Sequence, residues 1–192
     1  MKKLLIPLIA LASTIACAAC TSLLGGAMTP STTPAKSIEA FQHDLEPTII
    51  AARNELVTAE NFIAYVNGDF IGSFGSAQGP LYSVHTRLYY FSDLDTDHIR
   101  DTYNKHLLPL GFELSEKRWT SNGVDIVQFL WTNEEYHAAV VSTTRLGEQS
   151  ATRYYTVGNP SDGSNGDPKQ MIDQPGRTPD WFDPNLPPAD QK

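Results

Sequence analysis

The first folded part of the chain carries apolar side chains at alternating steps of three and four residues. These positions are Ile49, Ala52, Leu56, Ala59, Ile63 and Val66. Such spacing places them along one side of an α-helix, and Pro47 is typical of a first helical turn. We therefore expect a helix over residues 47–66 that ends at Asn67-Gly68. The alternative is a strand over residues 62–66 followed by a hairpin turn at Asn67-Gly68.

The neighbouring segments are shorter. Ser37 is a candidate N-cap for a helix that precedes Pro47. Residues 72–80 contain three glycines and a proline, which predicts a loop. Residues 81–91 are rich in Tyr, Val, Thr and Phe and alternate as in a strand with one buried face.

Another helix follows this strand. Ser92 or Asp95 can cap its first turn, and Pro109 and Gly111 end it. Its apolar stripe consists of Ile99, Tyr103, Leu107 and Leu110. The pattern therefore predicts one strand and then one helix in the middle of the chain.

The next part predicts an antiparallel meander. Residues 112–120 and 124–131 are joined by Asn122-Gly123, which is the strongest short hairpin signal. Residues 136–143 and 152–157 supply two further strands. The predicted fold class is thus α+β, with amino-terminal helices, then strand, helix and an antiparallel meander sheet.

Composition changes on both sides of this single domain, which we place at residues 37–157. Residues 21–36 are rich in Thr, Ser, Gly, Ala and Pro and predict a flexible tether. Residues 158–192 hold seven of the thirteen prolines and few aliphatic residues, which predicts a disordered C-terminal tail. Trp181 and Phe182 interrupt that composition, either as a short docking motif or as a local cluster.

Residues 1–20 have the features of a secretory signal peptide. Two lysines precede an apolar run over residues 4–12, and small residues come after it. The run is too short to span a bilayer, which takes about 20 apolar residues. Cys17 and Cys20 lie at the end of this segment.

The end of the signal peptide resembles the lipobox of bacterial lipoproteins, in which a cysteine is lipidated and becomes the first mature residue. The resemblance implies lipidation of Cys17, or alternatively of Cys20, by acyl chains such as palmitate. Such chains would hold the protein on the bilayer. Ala18 or Thr21, rather than Asp, would follow the cysteine, which in this family implies the outer membrane with the domain facing the periplasm. Ordinary cleavage after Ala18 is the alternative and would release a soluble protein.

Composition narrows the possible functions. Both cysteines lie in the signal segment, so the folded part has no disulfide and no thiol nucleophile. The formal net charge is −8, and loss of Lys2 and Lys3 leaves 12 basic and 22 acidic residues, or −10. This acidic balance argues against nucleic-acid binding and against electrostatic attachment to anionic lipid.

No sequence motif indicates a catalytic, cofactor-binding or metal site. The alternating carboxylates over residues 93–97 resemble a calcium loop, but an EF-hand needs Gly and Glu where His98 and Asn104 stand. A hydrolase site could still be assembled in space. Its candidate residues are His85, His98, His106, His137 and Asp125.

Aromatic residues dominate the predicted strands. They are Tyr82, Tyr89, Tyr90, Phe91, Trp119, Phe129, Trp131 and Tyr136. If helices leave them uncovered, they form a binding surface; the alternative is that the amino-terminal helices cover them. We expect a non-enzymatic module that binds an envelope protein through the sheet or the tail. The alternatives are an immunity protein against a periplasm-acting toxin, the hydrolase, and a carrier with an apolar cavity between sheet and helices.

Overall fold

The computed structural model describes residues 34–66, 68–173, 177–183 and 185. The predicted signal peptide, Cys17, Cys20 and the tether before residue 34 lie outside these residues. Within them, no helix has the length and apolar character that crossing a membrane requires. The described residues form an α+β fold with three α-helices and a mostly antiparallel sheet.

The helices begin at the predicted residues. They are α1 (Ile38–Asp44), α2 (Glu46–Leu56) and α3 (Thr96–Leu107). The Ser37 hydroxyl caps α1 by accepting from the backbone N–H of Ala40 at 3.1 Å. Pro47 lies in the first turn of α2, and Asp95, rather than Ser92, caps α3. Gly111 ends the short 3₁₀ turn after α3 with a φ of 80°.

The strands of the described residues pair into one sheet. They are β1 (Phe62–Val66), β2 (Phe70–Ser76), β3 (Gly79–His85), β4 (Leu88–Phe91), β5 (Glu113–Ser121), β6 (Val124–Asn133), β7 (Ala138–Arg145), β8 (Gln149–Thr156) and β9 (Asn159–Pro160). Strands β5 to β8 form the predicted meander, and Asn122-Gly123 makes its first turn with φ of 52° and 78°.

Residues 57–66 are not helical, so the prediction of one helix over residues 47–66 is wrong. The Asn61 side chain donates to the Leu56 carbonyl at 2.7 Å and accepts from the Thr58 N–H at 2.9 Å, which ends α2. Ile63, assigned to the buried stripe, is 47% exposed. The alternative strand is correct, but β1 pairs with β4 rather than with β2, so β1 and β2 do not form the hairpin of that alternative.

The loop predicted over residues 72–80 is also wrong, because β2 and β3 form a hairpin there. Its turn is Ala77-Gln78, and the Ser76 hydroxyl closes it by donating to the Gly79 carbonyl at 2.7 Å. The glycines stand opposite ordinary strand residues; Gly72, for example, pairs with Ser83. Cross-strand pairing therefore outweighs the weak strand preference of glycine.

The strand predicted over residues 81–91 is present as two strands, β3 and β4, which both pair with β8, while β3 also pairs with β9. At the interruption, the Thr86 hydroxyl donates to the Tyr154 carbonyl at 2.7 Å and accepts from the Tyr154 N–H at 3.1 Å. A side chain thus replaces the backbone ladder for one residue pair. The interruption also shifts the alternation: even-numbered residues such as Val84 face the helices in β3, whereas odd-numbered residues such as Tyr89 face them in β4.

All three helices pack on one face of the sheet, which we call the inner face. The strand order across the sheet is β1-β4-β8-β7-β6-β5. The Tyr103 hydroxyl of α3 lies 2.6 Å from the Thr152 hydroxyl, and burial raises the pKa of Tyr103 to about 12. The largest fully buried side chains are Trp131, Tyr89, Tyr103, Tyr154, Phe41, Phe91 and Phe129.

The C-terminal segment packs on the domain, so the prediction of a disordered tail does not hold for residues 158–173 and 177–183. Arg177 forms a bidentate, buried ion pair with Glu46 on α2, with N–O distances of 3.0 and 2.8 Å. Phe182 is only 6% exposed and contacts three rings of the sheet. These rings are Phe62, Tyr65 and Tyr89. Ion pairing and ring burial supply contacts that the tail's composition does not reveal.

Candidate functional site

The second face of the sheet, which we call the outer face, is the candidate functional site. Helices α1, α2 and α3 all pack on the inner face, so none of these three covers it. Pairs across the strands place its side chains together, for example Tyr90 with Ala151 and Arg153 with Val141. Its central members are Leu88, Tyr90, Leu130, Val141, Thr143, Arg145, Gln149, Ala151, Arg153 and Tyr155.

A small depression of about 30 Å³, open to solvent, lies on this face. Its lining is Leu88, Tyr90, Val141, Thr143, Arg145, Gln149 and Ala151. The small side chain of Ala151 lies between strands that carry larger residues, and this size difference creates the concavity. The lining is mainly apolar, with polar groups at one end, as is usual for a recognition surface.

Arg153 lies beside the depression, because it pairs across the sheet with the lining residue Val141. Its guanidinium carbon is 5.4 Å from the ring centre of Tyr155, within the range of a cation–π contact. No carboxylate of the described residues forms an ion pair with it, and its Nε atom is buried without a hydrogen-bond acceptor there. Burial lowers the pKa of Arg153, because the charged form has lost water.

A guanidinium in this state favours an incoming anion, since a carboxylate would restore the interactions lost on burial. Arg145, at the depression, differs because its guanidinium already pairs with Glu148. That hydrogen bond raises the pKa of Arg145. The depression therefore has one satisfied cation, Arg145, and one unsatisfied cation, Arg153, beside it, on a chain whose net charge is −8.

Sequence reasoning missed Arg153. The alternation in residues 149–156 could have indicated it, because Arg153 and Tyr155 share a face with Ala151. This local pattern does not show which face of the sheet the helices cover.

The aromatic residues of the sheet are mainly covered. Tyr89, Phe91, Phe129, Trp131 and Tyr136 are buried. The cover does not come from the amino-terminal helices alone, because Tyr103 of α3 packs on Trp131 and Phe182 of the C-terminal segment packs on Tyr89. Tyr90 and Trp119 are on the outer face and half-buried. The buried aromatic side chains fill the apolar space between the sheet and the helices. The depression lies on the opposite side of the sheet.

The five candidate hydrolase residues are spread over the fold, each with its own contacts. His98 and His106 lie at opposite ends of α3, beside Asp93 at 2.7 Å and Glu55 at 2.8 Å. His85 stacks on Phe70 in the β2–β3 hairpin. His137 lies in the β6–β7 turn against the Val157 carbonyl, and Asp125 accepts from Thr120.

No three histidines, cysteines or carboxylates of the described residues lie in an arrangement that could hold a metal ion. The carboxylates over residues 93–97 have local roles. Asp93 accepts from the Asp95 N–H at 2.9 Å, and Asp95 accepts from the N–H groups of Asp97 and His98 in the first turn of α3 at 3.0 Å. Helix capping thus accounts for the acidic repeat.

Comparisons with known proteins identify a family and a fold. A family model described as "Domain of unknown function (DUF4853)" matches residues 34–167. The crystal structure of a DUF4853 family protein from Actinomyces odontolyticus ATCC 17982 is similar, with a TM-score of 0.54 and 11% identity over 77% of this chain and 79% of that chain. The comparison with curated proteins finds no match. The family model spans more than half of the residues of this chain, so the chain belongs to the DUF4853 family.

Proposed function

We propose that the protein is a lipid-anchored envelope protein whose domain binds a protein partner in the periplasm without catalysing a reaction. The observation that carries the binding role is the depression on the outer face with the unpaired, half-buried Arg153 beside it. An apolar surface next to a desolvated cation suits a partner segment that combines apolar and acidic side chains.

The anchor is supported by the lipobox-like signal and by the way the domain begins. The backbone N–H of Lys36 donates to the Glu135 carbonyl at 2.9 Å, and the Lys36 ammonium lies 2.8 Å from the Glu135 carboxylate. The tether therefore joins the domain at the β6–β7 turn, away from the depression, which leaves the depression accessible while the chain is held on a membrane.

Site-specific crosslinking in cells tests this function. We expect benzoylphenylalanine at position 90, beside the depression, to give one abundant crosslinked partner. The same group at position 108 is the matched control, because Leu108 is 46% exposed at the end of α3, on the helical side. Mass spectrometry then identifies the captured protein and the peptide attached to it.

The substitution Arg153→Glu in the position-90 variant supplies the second comparison. It reverses the charge beside the depression, so we expect at least a tenfold loss of the crosslinked product, from the cost of placing like charges together. Equal capture from positions 90 and 108, or capture that Arg153→Glu leaves unchanged, contradicts a binding role for this face.

A further inference from the structure

An exposed apolar patch lies on the β2–β3 hairpin, at the end of the outer face away from the depression. We call it the hairpin patch; it consists of Phe70, Phe74, Leu81, His85 and Val157. Phe70, Phe74 and Val157 are 51%, 49% and 44% exposed, which is unusual for side chains of this size. Clustered exposed apolar residues mark interaction surfaces, whereas single ones need no explanation.

The sheet holds the rings of this patch in place. Phe70 stacks on His85 with ring centres 4.6 Å apart and planes 14° apart. Phe74 lies over the backbone of Gly158, where a β-carbon would come within 3.4 Å of the Phe74 ring. Gly158 also has a φ of 74°, a backbone conformation that favours glycine. The patch is thus a preformed surface, and binding through it costs little side-chain entropy.

The patch carries no acidic side chain. Residues 70–85 contain no Asp or Glu. Asp69, just before the hairpin, is occupied by an ion pair with Arg87. On the same face, Arg153 lies over Tyr155, which pairs with His85 across the sheet. Exposed apolar and aromatic side chains without an acidic group among them suit the boundary between headgroups and acyl chains.

The tether joins the domain near the same end of the molecule. The Asn159 side chain donates to the carbonyls of Lys36 and Tyr136 at 3.1 and 2.7 Å. The next residue, Pro160, pairs with Leu81, which in turn pairs with Phe74. Two strand spacings, about 10 Å, therefore separate Phe74 from the strand that holds Lys36.

We propose that the hairpin patch rests on the lipid bilayer beside the anchor, with Phe70 and Phe74 at headgroup depth. The tether predicted over residues 21–36 would span roughly 20 Å as a flexible chain, so an anchored cysteine would keep the patch within reach of the membrane. The apolar rings supply the attraction, because the acidic chain as a whole gains nothing from anionic lipid. This proposal rests on the proposed lipid anchor.

Fluorescence quenching in vesicles tests the contact on the full chain. The protein, purified from membranes of its expression host, is reconstituted into vesicles of brominated phosphatidylcholine, and flotation measures its attachment. Phe74→Trp places a tryptophan in the patch, and Leu108→Trp places one at a matched site, 46% exposed, at the end of α3. The emission of the wild-type chain, which has three tryptophans, is subtracted from the emission of each variant.

We expect the Phe74→Trp emission to be quenched severalfold more strongly than the Leu108→Trp emission, since bromine quenches only at contact distance. Because the two rings share the patch, Phe70→Ser in the Phe74→Trp background should reduce that difference. Equal quenching at both sites in chains that float overturns the membrane contact while leaving the anchor intact. A wild-type chain that does not float with the vesicles overturns the anchor and this proposal together.

Discussion

Among single residues, His85 connects the outer face to the pH of its surroundings. Its ring is half-buried against Phe70. Burial lowers the pKa of His85, and the positive charge of Arg153 lowers it further. A group whose pKa is lower in the folded than in the unfolded chain favours folding above the unfolded-state pKa. That contribution is lost as the pH falls through the folded-state pKa.

The substitution His85→Phe tests this residue-scale effect. The wild-type free energy of unfolding should fall as the pH drops below about 6.5, the ordinary histidine pKa, whereas the variant keeps the stacked ring but has no group to protonate. Urea denaturation between neutral pH and pH 5 measures the difference. The control is His43→Phe at a ring that is 89% exposed, and a His85→Phe variant that retains the full wild-type pH dependence contradicts the prediction.

Among the elements, the interrupted β3–β4 strand depends on one hydroxyl. Thr86 is buried and supplies both hydrogen bonds that the backbone ladder lacks at Tyr154. The interruption lets β3 and β4 face the core with opposite alternation. The depression residues Leu88 and Tyr90 consequently point to the outer face, beside His85 and Ser83 of β3.

Thr86→Val should therefore destabilise the fold, because it keeps the side-chain shape and removes both hydrogen bonds. We expect a loss of about 2 kcal/mol, the cost of leaving buried backbone groups unpaired. Thr120→Val, at an exposed position of β5, is the matched control and should cost less than about 0.5 kcal/mol. Chemical denaturation of both variants gives the comparison, and equal losses would show that the hydroxyl of Thr86 has no special role.

How well each element could be predicted depended on how local its determinants are. Helix α3 and the β5–β6 hairpin were correct, because the Asp95 cap and the Asn122-Gly123 turn act within a few residues. The helix prediction for residues 62–66 is wrong because their apolar side chains follow helical spacing by coincidence. This segment is a strand because it pairs with β4. The glycine-rich β2 is likewise a strand because of its partner, which no local pattern shows.

For the whole molecule, the Arg177–Glu46 pair joins the C-terminal segment to α2. Glu46 also accepts from the Tyr154 hydroxyl at 2.8 Å, and Arg53 donates to the Arg177 carbonyl at 2.7 Å. Burial, and secondarily the negative charge of Glu46, raise the pKa of Tyr154 well above its ordinary value. This contact, like the outer face, could not be predicted, since its partners lie 131 residues apart.

Arg177→Met should destabilise the protein by about 3–5 kcal/mol, because it leaves a buried carboxylate without its counter-charge. Arg145→Met, which breaks an exposed pair with Glu148, is the matched control and should change stability little. Thermal unfolding measures both variants, and a loss for Arg177→Met no larger than the loss for Arg145→Met contradicts the prediction.

The same contact sets an order on folding. Residues are joined in chain order, so α2 is complete long before Arg177 is added, and Glu46 has no Arg177 to pair with until then. Contacts between distant residues also form slowly. The pair is therefore among the late contacts of the fold, and a product truncated before Arg177 leaves the Glu46 carboxylate without its counter-charge.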